Sequence, residues 1–204
     1  MKNETLSMLY TLAHFLRDKM PWVWTMLDVV NSVLFALRYD RKLKTVEANV
    51  MAKYAQKSGY KVCRMRDVST TQLVDFFNNQ PTGAYKYFKP HGFDEKSIVR
   101  LQNNKSFLAY VFVNNDKIAG YCFNRSFFHG KGFRGRMTDI NHRGRGMGTM
   151  MNKFLNEIGF GIGLQLFETV SKDNIASYRS AVSAGNFKIV KELPNNELFL
   201  QIIQ

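Results

Sequence analysis

The chain has 204 residues and a mass of 23.6 kDa, the size of one domain with room for an appendage. Apolar residues make up 45% and charged residues 22%, which excludes a wholly disordered chain. Two cysteines and four scattered histidines exclude a disulfide scaffold and the spaced ligands of a metal site, so no metal is expected and the compartment is read as reducing and cytoplasmic. Lys and Arg outnumber Asp and Glu 29 to 16; the surplus of +13 points to an anionic partner, whether nucleic acid, a lipid headgroup surface or a phosphate-bearing small molecule.

The first residues carry neither a basic stretch nor a small-residue cleavage site, so no secretory signal is expected. Leu9, Leu12 and Leu16 mark a short helix. Met20 to Leu37 is about long enough to span a bilayer, but Asp28, Asn31 and Ser32 interrupt it, and an aspartate at mid-span costs about 2.5–3.5 kcal/mol. A buried or interfacial helix is the expectation. Its apolar residues form two adjacent stripes, Val23, Leu27, Val30, Leu34, Leu37 and Trp22, Met26, Val29, Val33, Ala36, as in a helix packed on two sides. The basic run from Arg38 to Lys44 then suits anionic lipid. Residues 1–58 are read as a helical extension that packs on the main domain, pairs with a second copy, or touches the inner face of a membrane peripherally.

From residue 59 the pattern shortens. A strand is expected over 60–66, a helix over 71–79 with Ser69 as N-cap, a loop rich in aromatic and basic residues over 84–93, and a helix over 94–104. Strands over 106–113 and 118–127 flank Asn114-Asn115-Asp116-Lys117, a hairpin signal. A third strand covers 133–140, and a helix covers 149–158. The glycines at 159, 161 and 163 read as a helix stop and linker. A strand over 164–170, a helix over 174–184 ended by Gly185, and strands near 187–192 and 197–203 complete the chain. The order β-α-α-β-β-β-α-β-α-β-β is that of an α+β fold, its mostly antiparallel strands flanking a central β-α-β crossover.

The sharpest motif is Asn141-His142-Arg143-Gly144-Arg145-Gly146-Met147-Gly148-Thr149, between a strand and a helix. Three glycines let the backbone turn tightly and bring its N–H groups against a ligand. The helix start leaves those donors free and partly positive, and Arg143 and Arg145 add charge, a cradle suited to pyrophosphate. Neither GxxxxGK[ST] nor GxGxxG fits.

Arg143-x-x-Gly146-x-Gly148 resembles the R/Q-x-x-G-x-G/A signature of the GNAT superfamily of acyl-CoA N-acyltransferases, and Asn174-x-x-Ser177 with Gly185 and Phe187 is similar to its second block. The resemblance covers roughly 59–204. It implies a GNAT domain there, a mixed sheet splayed between its fourth and fifth strands, and acetyl-CoA as co-substrate. Ile140, Arg143, Gly144, Arg145, Gly146, Met147, Gly148 and Thr149 would line the cofactor, and Asn174 and Ser177 would face its arm. Many members carry an acidic Tyr seven residues after that Asn; here the position is Ala181, with Tyr178 one turn earlier.

Acetyl transfer to an amine gains from a base and from an acid for the departing thiolate. Tyr178 is the candidate acid, with packing or a cofactor contact as its alternative. Glu168 is the first candidate base: it shares a strand face with Leu164, Leu166 and Val170, and desolvation there would raise its pKa, unless it is solvated or paired with an arginine. Asp139 is second; His142 and His91 follow. Tyr85, Tyr87 and His91 in the loop, with Arg125 and Arg136, are the expected acceptor contacts, and aromatic faces with cations suit an anionic sugar. Tyr87-Phe88-Lys89-Pro90-His91 resembles GNAT members that acetylate nucleotide-linked amino sugars for surface polysaccharide. The expected partner is thus a small anionic amine. A peptide, antibiotic or polyamine acceptor is the second reading. A basic membrane- or nucleic-acid-binding module is the third; it is disfavoured for nucleic acid because the arginines gather at one glycine loop.

Overall fold

The computed structural model describes residues 21–194 and 196–204. The helix expected at Leu9–Leu16 lies outside them. Seven strands form one sheet in the order β1-β2-β3-β4-β5-β7-β6: β1 Lys61–Arg64, β2 Phe107–Asn114, β3 Lys117–Ser126, β4 Lys131–Thr138, β5 Gln165–Ser171, β6 Asn186–Leu193 and β7 Glu197–Ile203. All neighbours are antiparallel except β4 and β5. The helices are α1 Pro21–Ser58, α2 Thr70–Asn78, α3 Glu95–Gln102, α4 Met147–Ile162 and α5 Ile175–Val182. The expected α+β order is the observed one from β1 onward. Ser69 caps α2, Asp94 caps α3, and Asn115 and Asp116 take the positive φ that a tight β2–β3 turn needs.

Alternation along each strand separates two cores. On one face, α1, α4 and α5 pack over Leu108, Tyr110, Phe112, Leu166, Leu198 and Leu200. On the other, α2, α3 and the following loops cover Phe107, Val111, Tyr121 and Phe123. Helix α1 is 38 residues, about 57 Å long. Phe35, Tyr39, Leu43, Glu47, Val50 and Tyr54 recur at helical spacing on its buried side. Glu47 is tolerated there because its carboxylate accepts from Tyr110 Oη at 2.6 Å and pairs with Arg64 at 3.0 Å. The second half of α1 therefore shares a core with the sheet. No helix among the described residues is long and apolar enough to cross a membrane.

The glycine run 159–163 is not the expected linker. Helix α4 passes through Gly159 and Gly161 and ends only at Gly163, whose φ is +92°. The first two glycines serve close packing instead. A Cβ at Gly159 would sit 2.6 Å from Leu166 Cδ2, and one at Gly161 would sit 2.6 Å from Val46 Cγ1. Leu166 is fully buried, so Gly159→Ala overpacks the contact, at about 1–3 kcal/mol. Alanine's helix preference returns about 1 kcal/mol. The expected net effect is a lower urea midpoint with unchanged m; a higher midpoint would mean that Leu166 yields freely.

Candidate active site at the parting of two strands

Strands β4 and β5 pair only through Lys131–Phe133 and Gln165–Phe167. Beyond Phe133 they no longer pair, and the start of α4 and α5 lie beside the parting, with Gly148 close to Ser180 and to Arg136. The chain leaves β4 at Asp139, makes a 3-10 turn over Ile140–His142, and enters α4 at Met147. Gly144 and Gly146 hold φ of +73° and +75°, which only glycine adopts without strain. A Cβ at Gly148 would lie 3.0 Å from Ser180 Oγ, so this glycine lets α4 start close beside α5.

The main-chain N–H groups of 143 to 149 have no hydrogen-bond partner among the described residues; the first closed helical bond is Met150 N to Gly146 O. Arg143 and Arg145 are exposed beside them. Residues 143–146 lead into a 16-residue helix that starts at Met147, and the free N–H groups of a helix start are donors of the kind an anion can use. This is the observation that a diphosphate group fits. Asn174 caps α5 through its side chain, accepting from Ser177 N at 3.2 Å.

A buried ion network spans the parting. Arg134 Nε and Nη2 each lie 2.7 Å from Glu168 Oε2, and Arg136 Nη1 donates to Glu168 Oε1 at 2.6 Å. Arg134 also donates to Asn156 on α4, and Arg136 Nη2 to Ser177 O and Oγ on α5. Side-chain exposure is 1% for Arg134, 7% for Arg136 and 4% for Glu168. This corrects two expectations. Burial pushes the Glu168 carboxyl up, but the guanidiniums of Arg136 and Arg134 outweigh it and hold it below its usual range. Glu168 is thus a held anion and not a base of raised pKa. Arg136 is spent on Glu168 and Ser177 and does not reach out to an acceptor; Ser177 in turn presents its hydroxyl to Arg136.

The other candidates separate likewise. Burial pushes Asp139 up, but hydrogen bonds from Gln80 at 2.9 Å, His142 at 3.0 Å and Asn141 N at 3.0 Å bring it below the usual range, so it anchors the turn before the cradle. His91 packs against Phe77, Phe93, Phe107, Tyr121 and Phe123. Its Nδ1 donates to Gly92 O and its Nε2 accepts from Tyr121 Oη at 2.9 Å. Burial lowers its pKa to about 4, so it is a neutral packing group, unlike the acceptor contact expected. Arg125 pairs with Asp28 on α1 at 3.1 Å, so its charge is engaged by the domain itself. Tyr85 donates to Phe77 O and is partly buried, whereas Tyr87 is exposed with Lys86 Nζ 4.8 Å above its ring. Tyr178 is half-buried with its ring 6.2 Å from Phe187. Ile140 is exposed at the turn. The sequence reading missed Asn152, Asn156 and Ser180. Gly148, Asn152 and Asn156 are spaced by four on α4 among apolar neighbours, a stripe that marks the face turned to α5 and the network.

No protein-family model matches the chain, and no curated protein matches its sequence. Solved structures do. The GNAT domain of PAT from S. lividans aligns with a TM-score of 0.61 at 11% identity, over 70% of this chain and 89% of that one. The Campylobacter jejuni N-acetyltransferase PseH aligns at 0.54 and 14%, over 71% and 98%. AAC(6')-Ib, solved with an aminoglycoside and acetyl-CoA, aligns at 0.51 and 15%, over 71% and 92%. The chain has the GNAT acetyltransferase fold. Within that fold the parted strands are β4 and β5, and the amide-lined turn follows β4, as the motif implied.

Removing the one anion of this network leaves two buried cations without a counter-charge. Glu168→Gln should cost about 3–5 kcal/mol in urea unfolding. Because the folded pKa of Glu168 lies below its unfolded value, its contribution is present above about pH 4.3 and fades as pH falls through the folded pKa. The difference between wild type and variant should therefore be full at pH 7 and shrink in acid. A difference that persists or grows in acid would show that Glu168 is not held as an anion.

Proposed function

We propose that this protein is an acetyl-CoA-dependent N-acetyltransferase whose acceptor is a primary amine on a small anionic molecule, an amino sugar borne on a nucleotide being the best fit. One observation carries the reading: the unpartnered amides of 143 to 149 open a helix beside the parted strands of a GNAT fold. Those amides, with Arg143 and Arg145, would hold the diphosphate of the co-substrate. Asn174 and the start of α5 would flank its arm. When bound, acetyl-CoA supplies an activated acetyl thioester.

The chain's own residues account for positioning more readily than for proton transfer. Glu168 and Asp139 are both held as carboxylates and accept protons poorly at neutral pH. Glu168 would instead fix β5 and α5 against β4, setting the width of the cleft in which amine and thioester meet; proximity of that kind is a large part of acyl transfer. Tyr178 Oη remains the candidate proton donor. The aromatic and basic loop carrying Tyr87, Lys86 and Lys89 supports an anionic, ring-bearing acceptor. AAC(6')-Ib, an aminoglycoside acetyltransferase of the same fold, supports a small-molecule amine over a protein substrate.

Thermal unfolding with acetyl-CoA, ATP or NAD tests the reading. At 100 times its Kd, acetyl-CoA should stabilise the protein by about 2.7 kcal/mol, while ATP and NAD leave the Tm unchanged. Gly146→Val forces the loop out of its positive φ without touching the body of the protein, since nothing lies within 4 Å of the added Cβ. It should fold and lose the acetyl-CoA shift. A full shift in that variant would place the ligand elsewhere.

A further inference from the structure

The N-terminal half of α1 inverts the usual arrangement of a surface helix. Trp22, Met26, Leu27, Val29, Val30, Val33, Leu34 and Leu37 face outward and are 38–80% exposed. At 100° per residue they fill an arc of about 160°. Asp28, Asn31, Ser32 and Arg38 of the same stretch are bonded to the domain. Asp28 pairs with Arg125 at 3.1 Å. Asn31 donates to Ser106 Oγ at 2.9 Å and to Ser126 O at 3.0 Å, and accepts from Phe128 N at 3.0 Å. Ser32 Oγ accepts from Lys105 N at 2.8 Å, and Arg38 donates to Phe128 O at 2.9 Å. These bonds fix the rotation of the helix, so the apolar side is presented to the outside by construction. An apolar patch of that size on an otherwise basic protein marks an interaction surface.

Charge decides between occupants. Past Leu37 the exposed positions become basic: Arg38, Arg41, Lys42 and Lys44 against Asp40 alone. Arg100 and Lys105 stand across a groove from Val29, Val33 and Leu37. A second copy would bring the same +13 charge and be repelled. Paired helices also use a narrow apolar seam with charged flanks that set register, whereas no outward position from 22 to 37 is charged. A wide apolar arc continued by cations matches a helix lying in the headgroup region of an anionic bilayer, with Trp22 at its end. The geometry points to an anionic lipid surface as the partner of residues 22–37, with α1 seated in the plane of the membrane and the GNAT domain carried on it.

The chain's two tryptophans, Trp22 and Trp24, both lie in this stretch and report on it directly. With the full-length protein, vesicles of 70% phosphatidylcholine and 30% phosphatidylglycerol should blue-shift the tryptophan emission, and brominated acyl chains should quench it. Co-sedimentation should be at least tenfold stronger with these vesicles than with pure phosphatidylcholine, and weaker at higher salt. Val29→Glu combined with Val33→Glu changes only outward side chains; it should cut binding at least tenfold and leave the acetyl-CoA thermal shift as in wild type, whatever the size of that shift. The proposal is overturned by unshifted emission, by equal binding of wild type and variant, or by sedimentation equilibrium showing a dimer that the two glutamates dissolve while vesicles are ignored.

Discussion

The sheet of this protein comes apart between β4 and β5, and a three-residue ion network governs how far. Arg134 and Arg136 leave β4 on the same face, and Glu168 meets both from β5. Strand alternation places 134, 136 and 168 on the face covered by α4 and α5, where charge is costly to bury alone. Each guanidinium then reaches a helix, Arg134 through Asn156 on α4 and Arg136 through Ser177 on α5. Two strands and two helices are thus referenced to one carboxylate. Past Phe133 side chains, not main-chain hydrogen bonds, join β4 to β5.

The same carboxylate is held in its ionised form and is a poor proton acceptor. A buried glutamate among apolar neighbours would be a proton acceptor of raised pKa; two cations reverse the sign. On the proposed function, catalysis would rest on arrangement more than on proton transfer, with amide donors ahead of α4 and two strands tied at a fixed separation. The positive surplus of the chain is divided among distinct tasks: Arg143 and Arg145 stand at the amide turn, Arg134 and Arg136 are structural, and Arg38 to Lys44 continue the apolar face of α1.

Much of this was legible in the sequence because it is local. The helix cap at Ser69, the turn at Asn115-Asp116 and the Arg-Gly loop each declare themselves in a few adjacent residues, and they give the element order and the cradle. What escaped depends on contacts distant in sequence. Glu168 is separated from Arg134 by 34 positions, so its charge state could not be read from its strand. Gly159 and Gly161 look like breakers until Leu166 and Val46 are seen pressing on them. His91 looks like a loop residue until five aromatic rings close around it. The inversion of α1 is half visible in sequence: Asp28, Asn31 and Ser32 interrupt the apolar run, but only their partners just before β2, on β3 and in the turn after it show that they mark the inward side.

In the function proposed for this protein, main-chain amides from Arg143 to Thr149 receive the diphosphate of coenzyme A. Nitrogen–proton correlation spectra of labelled protein, titrated with coenzyme A, test it residue by residue. The amides of Gly144, Gly146 and Gly148 should move downfield and carry the largest shifts in the spectrum. Binding that leaves those three resonances in place while others move would contradict the account.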